Sequence, residues 1–377
     1  MNNRYFTFLL IAILFFSCSK DARKVKIMEI PVDFEQDISL PLSEITEELT
    51  AITLELTDET PINPDFISRV LFCEDYLIVV LRDNILIFNT DGKFVRTIGA
   101  KGQASGEYVG GIRHVTLDEK NKRLFVYSVP KIICYDLDGT FIKEFELFQD
   151  SPKAEINYIA NINYVNDELL LLAEHIFSQD EKGFFNQSTL YRLNNEFQIT
   201  DSCTIRKVYV DMFSSPNNPY EEHILYNDSS IYLYYSDLSS SNRTNRKETI
   251  LRDTLYRLEK NYLIPELKLK FKDNGIEDFF GYKYILLCNI YRSTRYVFAI
   301  YLNDLKTKYN HFCYDTKTGE CYNMVDGYTD DINRIEQRAN IRPFSTNIEL
   351  FYYWHSYTEQ DNPEKTHLTL YIGKLKQ

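Results

Sequence analysis

The side chain with the clearest chemistry is the thiol of Cys18. It follows Phe15-Phe16-Ser17, at the end of an apolar run from Phe6 to Phe16 that Arg4 precedes as a short positive region. Such a run is too short to span a bilayer comfortably and has the layout of a targeting segment. An apolar residue three positions before the cysteine and a small one directly before it give the order of a lipobox. Ser17 lets signal peptidase approach the bond, and the thiol of Cys18 is where lipid attaches. The alternative is an ordinary secretory signal with a chance cysteine. Two or three acyl chains on Cys18 would anchor the mature chain firmly.

Other residues carry weaker chemistry. The histidines are His114, His175, His223, His311, His355 and His367, and none form an HxH or HExxH pair. A metal site assembled from distant strands would need several of them to converge, and no metal or other cofactor is expected. Tyr352-Tyr353-Trp354-His355, with Tyr357 beyond, holds the single tryptophan. Exposed aromatics stack on sugar rings, whereas alternating aromatics in a strand pack into a core. Trp354, His355, Tyr357 and His175 are the candidate ligand contacts. The acids of Asp326-Gly327-Tyr328-Thr329-Asp330-Asp331 lack the spacing of a calcium loop and read as a solvated turn. Glycines 99, 102, 106, 110 and 111 lack the Gly-Lys-Ser/Thr of a phosphate cradle and read as a connector.

Six further cysteines (73, 134, 203, 288, 313 and 321) are spaced too widely for a metal or redox pair. Most sit in apolar runs such as Ile132-Ile133-Cys134-Tyr135 and read as small buried hydrophobes. The exported compartment permits disulfides. If Asp315 pairs with Glu320 across their turn, Cys313 lies opposite Tyr322; a slip of one residue would bring Cys313 and Cys321 face to face.

The elements that would position these residues are strands. The chain has 377 residues, 44% of them apolar, with 29 Tyr and 25 Phe. That is too long for one ordinary two-layer core, and its aromatic wealth suits β-structure. Residues 66–98 give four runs in succession: Ile67 to Phe72, Tyr76 to Leu81, Ile85 to Phe88 and Lys93 to Ile98, with Asp91-Gly92 as a hairpin turn. Residues 115–145 repeat the theme around Asp138-Gly139, so that "IFNTDGKFVRTI" aligns with "CYDLDGTFIKEF" at a spacing of 47 residues. This is the period of a propeller blade. Divergent units follow. Leu169 to Ala173 and Leu190 to Leu193 mark a third blade. Ile231 to Tyr235, Thr254 to Leu258 and Leu267 to Phe271 mark a fourth. Tyr284 to Ile290, Tyr296 to Tyr301, His311 to Tyr314 and Cys321 to Met324 mark a fifth. Leu350 to Trp354 and Leu368 to Ile372 mark a sixth, completed by an early strand near Ile52 to Leu56. Helical periodicity is confined to Ile332 to Ala339. The expected organisation is a signal peptide over 1–17, a lipid-anchored tether over 18–40 and an all-β, six-bladed antiparallel β-propeller over 41–377.

The segment Gly102-Gln103-Ala104-Ser105-Gly106-Glu107-Tyr108 resembles the linker of NHL-like six-bladed β-propeller lipoproteins of Bacteroidetes, with Ala104-Ser105 in place of their Gly-Pro. Asp253-Thr254-Leu255-Tyr256 and the final strand ending in Lys374-Leu375-Lys376 fit the same family. Ser19-Lys20-Asp21 resembles the surface-export tags of lipoproteins from that phylum. The resemblance covers about residues 28–377 and implies a fold and an outer-membrane or cell-surface location, not an activity.

The formal charge is −13, or −14 once residues 1–17 are removed. That surface disfavours nucleic acid as a partner. The expected partners are the membrane, through the lipid, and a glycan, peptide or protein ligand. The variable loops Ser214 to Tyr220 and Ser236 to Lys247 are the expected contact segments. The expected role is binding or scaffolding. The alternative is a metal-dependent lactonase- or lyase-like propeller enzyme.

Overall fold

The computed structural model describes residues 27–57, 60, 62–146, 156–210, 223–227, 230–235, 253–272, 285–303, 307–359 and 362–377. Cys18 and both variable loops lie outside them.

Six sheets, each built on four antiparallel strands and chain-ordered in the first five, form a six-bladed propeller. Blade one comprises Ile67–Cys73, Tyr76–Leu81, Ile85–Asn89 and Phe94–Thr97; blade two comprises His114–Asp118, Arg123–Ser128, Lys131–Asp136 and Phe141–Glu146. Blade three comprises Ile156–Val165, Glu168–Asp180, Gly183–Leu193 and Ile199–Tyr209. Blade four comprises Ile224–Asn227, Ser230–Leu233, Thr254–Glu259 and Tyr262–Phe271; blade five comprises Ile285–Arg292, Tyr296–Asn303, Lys308–Asp315 and Cys321–Val325. Blade six takes Arg342–Phe344, Asn347–Glu359 and Asn362–Leu375 from the end of the chain and Thr46–Leu54 from its beginning. The early strand pairs along Leu368–Leu375, so the ring closes without leaving that edge open.

Each sheet is buried on both faces, which is why its strands read as unbroken apolar runs. Leu169, Leu171 and Ala173 pack toward Phe125 and Ile132 of blade two, while Leu170 and Leu172 pack toward Ile224 and Leu233 of blade four. A period of two with both phases apolar is what a sheet between two neighbours requires. Similar layers join blades one and two through Ile87 and Val115, and blades six and one through Tyr352 and Leu77. One large cluster runs from Leu267 of blade four through Phe298 of blade five to Tyr353 of blade six.

Turn chemistry holds where Asp-Gly marks it. Gly92 has φ +81 and a Cβ there would lie 2.2 Å from the Thr53 carbonyl oxygen, so only glycine fits against the closing strand. The Gly99–Gly111 segment is the connector from blade one to blade two. Its N–H groups already serve carboxylates: Gly106 donates to Glu144 Oε2 at 2.9 Å and Ala104 donates to Glu107 Oε2 at 2.9 Å.

Three expectations need correction. The tether gives way by Met28 to structure: Met28–Val32 is a strand that pairs in parallel with Leu267–Phe271 as a fifth strand of blade four, burying Ile30 and Val32. The residues at 332–339 form no helix; Ile335–Ala339 is a strand paired with Tyr328–Asp330. The described helical elements are the single turn Leu42–Ile45 and the 3-10 turn Pro64–Phe66. The acidic turn is not solvated throughout, because Asp330 is buried and Asp331 Oδ2 accepts from the Ser43 hydroxyl at 2.5 Å.

Candidate functional site

The first strands of the blades surround the ring axis, and their polar side chains stitch neighbouring blades together. Arg69 Nη1 of blade one donates to the Val115 carbonyl of blade two at 2.8 Å. The Tyr164 N–H of blade three donates to Thr116 Oγ1 at 2.9 Å, and Arg342 Nη1 of blade six donates to the Ser68 carbonyl at 3.3 Å. The Tyr226 N–H donates to the Ser345 carbonyl at 2.9 Å, joining blades four and six, which flank blade five. His114 and His223 face the same guanidinium. Burial first, and the charge of Arg69 second, push both imidazoles down to about 3. At neutral pH the Arg69 guanidinium therefore lies beside two neutral imidazoles. Among the described residues, no group of three or more His, Cys, Asp or Glu is placed to hold a metal ion.

The residues singled out as ligand contacts are not brought together. Trp354, His355 and Tyr357 lie on blade six, and His175 lies on blade three. Alternation splits the first group: Trp354 faces the layer shared with blade one, and His355 faces the layer shared with blade five. Trp354 is half-buried, with the Arg342 guanidinium 4.7 Å from its ring centroid. His355 is buried, edge-on to Tyr353 and Tyr371, with Nε2 3.6 Å from Asp330 Oδ2. Burial holds its imidazole below the usual range, although Asp330 pulls the other way. Asp330 is itself held by the Tyr353 hydroxyl, donating at 2.8 Å, and by the Asn333 N–H, donating at 3.0 Å. That cluster fastens the Tyr328–Ala339 hairpin to blade six and offers no open surface. His175 is half-buried, with Nε2 3.2 Å from the Tyr191 hydroxyl.

Tyr357 alone of the four is well exposed, at 62%. Its ring stacks on His367 with centroids 4.6 Å apart. The pair sits on a hairpin, Asn347–Glu359 with Asn362–Leu375, that outruns its neighbours: the first strand reaches only Tyr352 in register, and the closing strand stops at Leu368. Blade three has a matching arm. Glu168–Asp180 and Gly183–Leu193 extend past the first strand, whose pairing ends at His175, and Phe177 stacks on Phe184 at 4.2 Å. Phe184 is 39% exposed. Both arms join the second and third strands of a blade, so both turn on the same face of the ring. With six blades in chain order, blades three and six stand opposite each other across the axis. The blade-three arm escaped sequence reasoning. Its only signal was the length of the polar-aromatic stretch beyond Leu169 to Ala173. On the opposite face, a cavity of about 920 Å³ lies between blades three and four, floored by Ile231 and Leu258. Arg192 crosses it, paired with Glu168 at 2.6 Å.

A family model described as a domain of unknown function, DUF4934, matches residues 25–375. The chain belongs to that family. Among solved structures it is similar to a candidate exported protein of Bacteroides fragilis, at 16% identity and a TM-score of 0.61 over 93% of this chain and 100% of that one. That likeness is one of fold. It is also similar to the WD40 domain of Neurospora crassa Pan2, at 12% identity and a TM-score of 0.41 over 82% of this chain and 76% of that one. No curated protein matches the chain. Members of the DUF4934 family thus include a propeller with a stitched polar axis and two opposed aromatic arms.

Proposed function

We propose that this DUF4934 protein is a lipid-anchored envelope protein that binds a glycan, peptide or protein partner on the face carrying its two arms. The observation that supports this best is the opposed pair of exposed stacks, Phe177 on Phe184 and Tyr357 on His367, on hairpins that outrun a rigid ring. Flat, partly exposed rings on a fixed frame give contact area at low entropic cost. The lipobox at Cys18 supports anchoring at the outer membrane or cell surface, and the exported relative of similar fold is consistent with it. The linker Gly102 to Tyr108 supports kinship with NHL-like propellers.

The test begins with glycan and peptide arrays probed with the purified protein. A Phe184→Ala/Tyr357→Ala double variant should lose about ten- to a hundredfold in affinity for whatever ligand is captured, since buried aromatic anchors are worth about 1–3 kcal/mol. Its melting temperature should stay close to that of the parent. Unchanged affinity would remove the arms from the site. Lactone, glycoside and acidic-glycan substrates with added calcium or zinc form the second arm. Metal-dependent turnover there would favour the enzyme reading.

A further inference from the structure

The blade-four edge carries the described strand nearest in sequence to Cys18. Met28–Val32 is hydrogen-bonded in register beside Leu267–Phe271, with Ile30 and Val32 buried. Glu29 pairs with Lys270 at 2.5 Å, and Glu35 pairs with Lys272. Only the ten-residue step from Cys18 to Met28 separates a lipid-bearing cysteine from this strand. Fully extended, that stretch reaches at most roughly 35 Å. It carries Lys20, Arg23, Lys24 and Lys26 against Asp21, a local excess of +3 on a chain whose overall charge is −13. Cations close to an acylated residue are drawn to anionic headgroups, while an acidic body is repelled.

We infer that the outer edge of blade four is the membrane-facing rim of the propeller, apposed to an anionic lipid surface, with blade one the part farthest from the bilayer. This rests on the anchoring reading given above. The short tether limits how far the blade-four edge can withdraw, and the basic stretch holds it close. In this posture the ring stands on its rim, and the face with the two aromatic arms opens sideways instead of being pressed against lipid.

The experiment uses the full-length lipidated protein in vesicles of phosphatidylethanolamine and phosphatidylglycerol that carry a headgroup spin label as quencher. Two reporters are compared, each with Cys203 and Cys321 replaced by serine to lower background labelling. One carries a fluorophore at Tyr262→Cys, a 73% exposed site on blade four, and the other at Lys93→Cys, an exposed site on blade one. Flotation with the vesicles is read first. A full-length chain that fails to float while carrying no lipid overturns the anchoring reading and the posture with it. Where it floats, quenching at position 262 should exceed that at 93 at least twofold. Equal or reversed quenching overturns the posture and leaves anchoring intact. A 30-residue Gly/Ser insertion after Lys26 should abolish the difference while flotation persists. A difference that survives the insertion overturns the tether as its cause.

Discussion

Burial and the Arg69 guanidinium keep His114 and His223 neutral at the ring axis, and that sets a pH dependence for the whole fold. In the unfolded chain each imidazole takes a proton near its ordinary value of 6.5; in the folded chain it does so only at about 3. The unfolded state therefore binds more protons between these limits. The stability these residues contribute is present above pH 6.5 and is lost as pH falls toward 3, at roughly 1.4 kcal/mol per unit of displacement. A His114→Gln/His223→Gln variant should show a shallower fall of melting temperature between pH 6.5 and 4 than the parent. Parallel curves would mean that other groups set the acid limit. Glycine 92 makes a second prediction at this scale. Its φ of +81 and the carbonyl of Thr53 at 2.2 Å from an added Cβ leave no room for a side chain. Gly92→Ala should cost about 1–3 kcal/mol by thermal or denaturant unfolding, whereas Gly319→Ala, with φ +80 but open space around it, should cost less.

Strands and their registers decide the next scale. Cys313 lies opposite Tyr322, and Tyr314 lies opposite Cys321, because the Asp315 N–H donates to the Glu320 carbonyl at 3.0 Å and sets the turn. The two thiols fall on opposite faces of the sheet. All six described cysteines are unbridged. A Cys18→Ala chain should therefore titrate six free thiols under denaturing conditions, and four would show that one disulfide had formed, which peptide mapping would assign to Cys313 and Cys321 if the register had slipped. Legibility varied in the same way from strand to strand. Second and third strands, such as Tyr76–Leu81, were readable because both their faces are buried. First strands were harder. Ile156–Val165 carries the buried Asn161 and Asn163, and Arg342–Phe344 is three residues long with a proline, so neither shows an apolar run. The fourth strand Ile199–Tyr209 is mostly exposed at the rim and shows little pattern. The segment 332–339 reads as helical by spacing, yet Asn333 turns back to Asp330 and sends Ile335–Ala339 into a hairpin.

For the whole molecule, the ring depends on two ends of the chain meeting. Thr46–Leu54 closes blade six, and Met28–Val32 covers the edge of blade four. The lipid anchor should be separable from this architecture. Cys18→Ala should release the protein from the membrane fraction while leaving its melting temperature within a degree or two of the unlipidated parent's. Retention of the variant in the membrane fraction would sink the lipoprotein reading.

What the sequence by itself determined is what depends on neighbours along the chain. The Asp-Gly turns, the 47-residue repeat, the strand runs and the closing strand near residue 52 follow from local φ preference and two-sided burial. The tertiary structure alone decided which distant residues share a surface. Trp354 and His355 are adjacent in sequence but face different blades, so they form no joint site. Arg69, His114 and His223 are separated by more than a hundred residues end to end and meet because three blades turn their first strands inward. The opposed arms exist only as a difference in strand length between one blade and its neighbours. Such differences become visible when the sheets are laid in register, since the extra residues of each arm obey the same alternation as the residues they extend.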